Sequence, residues 1–244
     1  MVPHKESEWL TQERVNTLLG AMKNAEDAWY SYWLVLADTG MRPSEGLGLK
    51  WSDLDLDAGT LAIRRTVVVK PYKRREKLPE AEPVAKKKGR GRKPFVPTHD
   101  VRWTFEDCKT ARSRRTIMIP ARVIAALKSH RKVVVAERLR RGAWWEDHNL
   151  IFPSETGTPP DMRTLVRLHF DPHRKAAKLP KVSPYVLRHS HISALLADGM
   201  PVSDVSARAG HSSPVVTLSV YAHVIHGGGD KMREAVERLA AGGR

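Results

Sequence analysis

A short apolar stretch, bounded by a glycine and a proline, does most to restrict how this chain can fold. Residues 28–37 are mostly apolar, Gly40 follows them, and Pro43 comes three residues later. Glycine is common just beyond a helix C-terminus, and proline is favoured in the first turn of a helix. The pattern therefore predicts a buried helix that ends at Gly40 and a short helix that begins near Pro43, with Arg42 at its N-terminal edge.

Further helical patterns lie on both sides of a short region of strands. Thr11 is placed to cap a helix, with Leu10 and Val15 as a flanking apolar pair. Residues 51–69 and 115–119 predict strands. A long helix closed by Gly142 is predicted over residues 121–141, and more helices over 161–178, 186–198, 202–209 and 231–240. The predicted fold class is mostly α with a small antiparallel β-sheet, that is, α+β.

Composition excludes several classes of protein. The chain has 244 residues, of which 41% are hydrophobic, so it is long enough for one large domain or two small ones. It has neither the roughly 18-residue apolar run of a membrane span nor an apolar signal sequence at its N-terminus. Its single cysteine, Cys108, forms no intramolecular disulfide and fits a reducing cytosol. The eleven histidines form no HExxH pattern, so we predict no metal site.

Net charge indicates the class of partner. The 42 lysines and arginines exceed the 27 acidic residues by 15, and the basic residues also lie inside patterned segments near both ends. Such an excess suits a polyanion, and nucleic acid is the first candidate. Residues 71–106 are rich in proline and charge, and we interpret them as a basic insertion between two strands.

The run KKKGRGRKP within this insertion is a candidate DNA-binding segment. Its Arg-Gly-Arg core resembles an AT-hook, although the favoured interpretation is a solvated run that holds phosphates without sequence preference. Its basic residues are Lys86, Lys87, Lys88, Arg90, Arg92 and Lys93.

Four motifs occur in a characteristic order. They are TGMRPSEGLGLKW at residues 39–51, KTARSRRTIMIP at 109–120, SPYVLRHSHISALLADG at 183–199 and GHSSPVVTLSVYAHV at 210–224. Together they closely resemble the catalytic domain of tyrosine recombinases, the phage-integrase family. The resemblance covers nearly the whole chain and includes the FPSETGTP segment before the third motif.

The chemistry of such a domain explains these residue types. Cutting a DNA strand without losing its bond energy requires a covalent link between protein and phosphate. A tyrosine supplies the oxygen, but ionising a phenol of pKa near 10 at neutral pH costs about 4 kcal/mol. Arginines grip the phosphate oxygens and stabilise the charge that develops on them, and a lysine can give the leaving 5′ oxygen its proton.

The resemblance implies a role for each residue that matches a family motif. Arg42 and Arg188 are the two phosphate-binding arginines, and Glu45 braces Arg42 or the site. His211 bonds to the phosphate beside the nucleophile, and Lys109 is the general acid. Taken singly, each would be interpreted as an ordinary surface or turn residue.

Tyr221 lies ten residues after His211, and the resemblance makes it the nucleophile. Outside this context, a tyrosine in VTLSVYAHV would be interpreted as a core aromatic residue. The implied reaction is strand transfer through a 3′-phosphotyrosyl intermediate, with no metal and no cofactor.

Tyr185 departs from the family pattern, in which a histidine normally stands three residues before the second arginine. A tyrosine is a poor general base at neutral pH because its pKa is too high. Three interpretations are open. Either the base role is weak in this family and the enzyme works with slower or shifted chemistry, or His189 or His191 takes over part of it, or activity has been lost.

The resemblance also implies an organisation for the whole protein. Residues 1–244 are expected to be a catalytic domain without the smaller DNA-binding domain that normally precedes it, and residues 230–244 a tail that docks on a neighbouring subunit. The expected partner is double-stranded DNA, with a homotetramer on two synapsed duplexes and a monomer otherwise. The expected location is the bacterial cytosol or nucleoid.

Three other functions remain open at this point. A type IB topoisomerase shares the chemistry but relaxes DNA without a partner duplex. A DNA-binding relative with impaired catalysis would account for Tyr185. A helix-turn-helix regulator would account for the charge and helices but not for the four ordered motifs.

Overall fold

Ten helices and five short strands make up the described part of the chain. The computed structural model describes residues 9–70, 102–108, 113–225 and 229–241. The helices are α1 (Gln12–Asn24), α2 (Tyr30–Thr39), α3 (Pro43–Leu47), α4 (Ala121–Arg141), α5 (Met162–Leu165), α6 (Asp171–Ala176), α7 (Tyr185–Ala197), α8 (Val202–Ala209), α9 (Pro214–Ile225) and α10 (Gly229–Ala240). The strands are β1 (Leu54–Asp55), β2 (Thr60–Ile63), β3 (Arg65–Lys70), β4 (Arg102–Asp107) and β5 (Arg115–Met118).

The predicted helix ends agree with the structure. The Thr11 side chain accepts a hydrogen bond from the backbone N–H of Arg14 and caps α1. Gly40 ends α2 with φ of 64°, and its N–H donates to the carbonyl of Leu36 at 3.0 Å. Pro43 is the first residue of α3 and Arg42 is its N-cap. Gly142 closes α4 with φ of 53°, a conformation that favours glycine.

The strands form two small antiparallel sheets. One has the order β1-β2-β5, in which Leu61 pairs with Ile117, and the other pairs β3 with β4. The strands predicted over residues 51–69 are separated by a turn at residues 57–59, as expected, but they extended too far: Trp51–Asp53 is a 3-10 turn, and the chain leaves the ladder at Arg64 between β2 and β3.

The insertion predicted over residues 71–106 was extended too far towards the C-terminus. Residues 102–106 belong to β4, where Phe105 pairs with Val67 of β3. Their alternation of large and polar side chains is typical of a strand, and the neighbouring charge hid it. Residues 71–101 lie outside the described residues, and so does the predicted DNA-binding run: Lys86, Lys87, Lys88, Arg90, Arg92 and Lys93.

Helix α2 lies at the centre of the main hydrophobic core. Tyr32 and Trp33 are completely buried, and α2 packs against α1, α3, α4 and α7. A smaller cluster joins α7, α8 and α9. Its buried members are Ile192, Leu196, Val205, Ala209 and Tyr221. No helix in the described ranges is long and apolar enough to cross a membrane.

Helix α9 was not predicted. Val215, Val216 and Thr217 are β-branched residues, which lose side-chain freedom in a helix, so the local pattern was ambiguous. Pro214 starts the helix with its preset φ, and the burial of Thr217 and Tyr221, four residues apart, stabilises it. Tertiary burial thus outweighed local preference and put Tyr221 on a helix.

Candidate active site

Arg188 lies on the buried side of α7 and reaches the end of α2. Its Nη1 donates to the carbonyl oxygen of Gly40 at 2.7 Å, and the residue is 4% exposed. Among the described residues, none accepts a hydrogen bond from its other terminal nitrogen, Nη2, although that atom is buried. Burial and the cations of Arg42 and Arg115 lower the pKa of Arg188 to about 10, so it remains charged at neutral pH. A buried guanidinium with a free donor is suited to bind an anion.

Glu45 ties two more arginines to the same place. Its carboxylate accepts from Arg42 Nη1 at 3.0 Å and from Arg115 Nη2 at 3.0 Å and Nη1 at 3.2 Å. It also accepts from the backbone N–H of Arg42 at 2.8 Å, which closes the first turn of α3. Burial raises the pKa of Glu45, but the hydrogen bonds and charges of Arg115 and Arg42 outweigh it and hold the pKa below its usual value. One carboxylate therefore orients two guanidinium groups.

Arg208 on α8 connects Arg115 to helices α2 and α7. Its Nε donates to His191 Nε2 at 3.1 Å, and its Nη2 donates to the carbonyl of Asp38 at 3.2 Å. The backbone carbonyl of Arg208 accepts from Arg115 Nε at 2.7 Å. Burial, the charge of Arg208 and that of Arg188 lower the pKa of His191 to about 4, although its hydrogen bond to the Ala37 carbonyl opposes the shift.

Two glycines permit these close approaches. At Gly40, with φ of 64°, a Cβ would lie 2.6 Å from Cδ2 of His191. At Gly210, with φ of 70°, a Cβ would lie 2.6 Å from Nη1 of Arg115. A side chain at Gly40 would therefore push His191 away, and one at Gly210 would push Arg115 away, in addition to the backbone strain.

Tyr221 is buried on α9 and its hydroxyl contacts a histidine. The phenol oxygen lies 2.7 Å from Nδ1 of His189, and the tyrosine is 3% exposed. Burial raises the pKa of Tyr221 to about 12, although the positive charge of Arg188 acts against the shift. Burial and the same Arg188 charge lower the pKa of His189. At neutral pH the pair is therefore an uncharged phenol beside an uncharged imidazole.

His211 follows the glycine that ends α8 and is held by α9. Its Nδ1 lies 2.7 Å from Oγ1 of Thr217, which leaves Nε2 for another partner. Burial first, and then the cations of Arg188 and Arg42, lower the pKa of His211 to about 4. The imidazole is therefore neutral, and an Nε2–H can donate to an oxygen.

The structure brings most of the predicted residues together. Arg42, Glu45 and Tyr221 lie close enough to Arg188 to shift its pKa, and the charge of Arg188 lowers the pKa of His211 and acts on that of Tyr221. The substituted position, Tyr185, is the first residue of α7 and is 46% exposed. Lys109 lies outside the described residues. No arrangement of three or more histidine, cysteine, aspartate or glutamate side chains suited to a metal ion occurs in the described ranges.

Arg115 was not identified from the sequence as a site residue. Arg115 shares a face of β5 with Ile117, which is buried, so the period of two already placed it towards the interior. A buried arginine is usually paired with an acidic residue, and Glu45 was available. Thr217, the partner of His211, was missed because α9 was not predicted.

The two histidines proposed to replace the usual one have different surroundings. His189 contacts Tyr221, whereas His191 bonds to Arg208 and to the backbone of α2. They are two residues apart on a helix, so they point to different sides.

A family sequence model and individual relatives match most of this chain. The sequence model described as "Phage integrase family" matches residues 8–85 and 96–226 of this chain. An integrase of Streptomyces ambofaciens is 30% identical over 226 residues, which cover 90% of this chain and 50% of that protein. A XerC-like tyrosine recombinase of Caldanaerobacter subterraneus subsp. tengcongensis is 27% identical over 228 residues, which cover 90% of this chain and 51% of the relative. The chain spans about half the length of these relatives.

A solved structure shows the same fold. The Tn1549 transposon integrase, in complex with transposon right end DNA, is similar with a TM-score of 0.69 at 20% identity, over 98% of this chain and 68% of that one. This likeness confirms the predicted fold class, and the family match extends over most of the sequence. The chain belongs to the phage integrase family of tyrosine recombinases.

Proposed function

We propose that this chain is the catalytic part of a site-specific DNA recombinase. It cuts and rejoins DNA by transesterification, through a 3′-phosphotyrosyl link to Tyr221. The observation that carries the proposal is the buried Tyr221 hydroxyl beside an arginine cluster in which Nη2 of Arg188 is free to bind an anion. No hydrolysis, metal or cofactor enters the proposed reaction.

The arginine cluster supplies the phosphate site of this proposal. Arg42, Arg115 and Arg188 carry three positive charges, against the single charge of the carboxylate that joins two of them. The surplus suits a phosphodiester, and more so the pentacoordinate transition state, which concentrates more charge on its oxygens. Because Glu45 and Gly40 already orient the guanidinium groups, little rearrangement is needed when the charge develops.

His211 completes the phosphate site beside the nucleophile. Its neutral ring is oriented by Thr217, and its remaining nitrogen is proposed to donate to a phosphate oxygen. A neutral donor does not draw the phosphate away from the arginines, but it fixes the angle at which Tyr221 attacks. Lys109 stays the proposed general acid, by resemblance, for the leaving 5′ oxygen.

The resting tyrosine is protected from unwanted reaction. With a pKa of about 12, ionising Tyr221 at pH 7 would cost roughly 7 kcal/mol. The phenol therefore stays protonated until bound phosphate and a proton acceptor together offset that cost. Cleavage is thereby coupled to DNA binding.

Double-stranded DNA is the proposed substrate and partner. The net charge of +15 supports a polyanion, and the Tn1549 integrase was solved with DNA. By resemblance, four subunits on two duplexes exchange strands, and the cytosol or nucleoid is the proposed location. The requirement for a second duplex separates this proposal from a topoisomerase.

A nicked suicide duplex tests the proposed function. Cleavage next to a nick releases a short fragment, so the covalent complex accumulates and is seen as a slower band on a denaturing gel. Wild type is expected to form the band, Tyr221→Phe to lose it, and Tyr185→Phe, a matched change on the neighbouring helix, to keep it. A pool of candidate sites serves as substrate. A band that persists in Tyr221→Phe, or no band from wild type on a duplex that carries the native site, would contradict the proposal.

A further inference from the structure

We infer that His189 accepts the proton of Tyr221 during DNA cleavage and returns it when the strand is rejoined. The inference rests on the proposed function and assigns the proton transfer that the substituted position, Tyr185, is unsuited to perform. The observation behind it is the contact of 2.7 Å between Nδ1 of His189 and the phenol oxygen of Tyr221.

Three other candidate acceptors whose side chains the structure describes are engaged elsewhere or exposed. His191 Nε2 accepts from Arg208, and Nδ1 of His211 bonds to Thr217. Tyr185 is 46% exposed, and its phenol would have to ionise before it could act as a base. His189 is the imidazole that already touches the nucleophile, so no movement is needed before the proton is transferred.

The surroundings of His189 keep its ring ready to accept. Burial and the charge of Arg188 lower its pKa, so the imidazole is neutral at pH 7 and offers one unprotonated nitrogen. In our proposal the proton sits on Nε2, and Nδ1 accepts a hydrogen bond from Tyr221. A phosphate bound at Arg188 would offset the positive charge that disfavours imidazolium, and His189 would become a stronger base when DNA is present.

The proposed step balances in both directions. In cleavage, the bond between the Tyr221 oxygen and phosphorus forms, the bond between phosphorus and the 5′ oxygen breaks, and the phenol proton moves to Nδ1 of His189. The 5′ oxygen takes a proton from the general acid, proposed to be Lys109. In rejoining, the 5′ hydroxyl gives its proton back to Lys109 and attacks phosphorus, the bond between phosphorus and the Tyr221 oxygen breaks, and that oxygen takes its proton back from Nδ1 of His189.

The test isolates this proton transfer from protonation of the leaving group. In a duplex with a 5′-bridging phosphorothiolate, the leaving sulfur needs no general acid, so the rate of adduct formation depends on the base. We compare His189→Gln and His189→Ala with wild type from pH 5 to pH 9, with and without added imidazole. Wild type should slow in acid, as His189 takes up a proton.

The variants should show three changes. His189→Gln should be slower by roughly 10²- to 10⁴-fold, the range for loss of a general base. Its acidic limb should disappear, and imidazole should restore part of the rate of His189→Ala. His148→Gln, a change at a histidine remote from Tyr221, should behave as wild type.

The outcomes separate this inference from the proposed function. If wild type forms no adduct, the proposed function fails. If wild type forms an adduct that requires Tyr221, but folded His189→Gln keeps the wild-type rate and acidic limb, only the inference is overturned. A slow variant that keeps the acidic limb and is not rescued by imidazole also overturns it, and it makes His189 a positioning residue. Circular dichroism and DNA-binding affinity confirm that each variant is folded.

Discussion

The two sides of the site are built from opposite kinds of interaction. The arginine side consists of Arg42, Glu45, Arg115 and Arg188. The tyrosine side consists of His189, His211, Thr217 and Tyr221. The first is a charged network in which a buried carboxylate sets the geometry, whereas the second is held by hydrogen bonds between groups that are neutral at pH 7. Charge fixed in advance suits phosphate binding, and neutral groups suit a nucleophile that must react only when substrate is present.

The hydrophobic support of the two sides also differs. Helix α3 and strand β5, which carry most of the arginine side, pack on the main core around α2. Tyr221 belongs instead to the small cluster between α7, α8 and α9. Arg188 and His189 are adjacent on α7, so this helix sets the distance between the two sides.

The largest effect is expected at Glu45, where the charged network can be broken. Glu45→Gln leaves Arg115 buried without its carboxylate, and losing one partner of a buried pair costs about 3–5 kcal/mol of unfolding free energy. Urea unfolding measures the loss. Glu137→Gln is the matched control, because this carboxylate also bonds two arginines but lies at the surface of α4 and is only partly buried. The control should change little. Equal losses of unfolding free energy in the two variants would show that burial does not increase the contribution of the Glu45 network to stability.

Arg188 tests whether the arginine side acts on the transition state. Arg188→Lys keeps the charge but loses the planar fork, and removing one oriented donor typically slows chemistry by roughly 10²- to 10³-fold. The measurement is the rate of adduct formation at saturating enzyme. Arg174→Lys is the matched control, since Arg174 is similarly buried but bonds to the carbonyls of Leu179 and Pro180 in the loop after α6. If both variants react at the wild-type rate once folded, Arg188 does not contact the reacting phosphate.

A smaller effect is expected from His191, which joins α7 to Arg208. Its pKa is about 4 in the folded protein and 6.5 ordinarily, so the unfolded chain takes up the proton first as pH falls. Unfolding free energy should therefore decrease from pH 6.5 to pH 4, by roughly 3 kcal/mol at most from this residue. His191→Gln should show a shallower decrease in urea unfolding across this range. Identical pH profiles for variant and wild type would contradict the account.

The sequence predicts the helix ends well because they depend on local chemistry. Thr11, Gly40, Pro43 and Gly142 mark their positions by hydrogen bonding or backbone conformation, and the structure agrees at each. Helix α9 and the limits of the strands depended on tertiary burial and pairing between distant segments. Residues 202–209 were predicted and found as a helix, whereas the neighbouring α9 was missed.

The candidate site shows the same division. Motif resemblance indicated Arg42, Glu45, Arg188, His211 and Tyr221, and the structure gathers them in one place. The roles of these residues stay predictions.

The sequence did not show which residues pair. Arg115 and Glu45, which are hydrogen-bonded, lie 70 residues apart in the sequence. His189 and Tyr221, which are also in contact, lie 32 residues apart and on different helices. Contacts of this kind follow from packing and have no local signature.

One measurement tests the central claim most directly. The covalent protein–DNA complex trapped on a suicide duplex is digested with nuclease and protease, and mass spectrometry locates the residue that carries the nucleotide. Our account predicts a 3′-phosphotyrosyl link at Tyr221. A link at Tyr185, which begins α7 and is half exposed, or at any residue other than Tyr221, would contradict it.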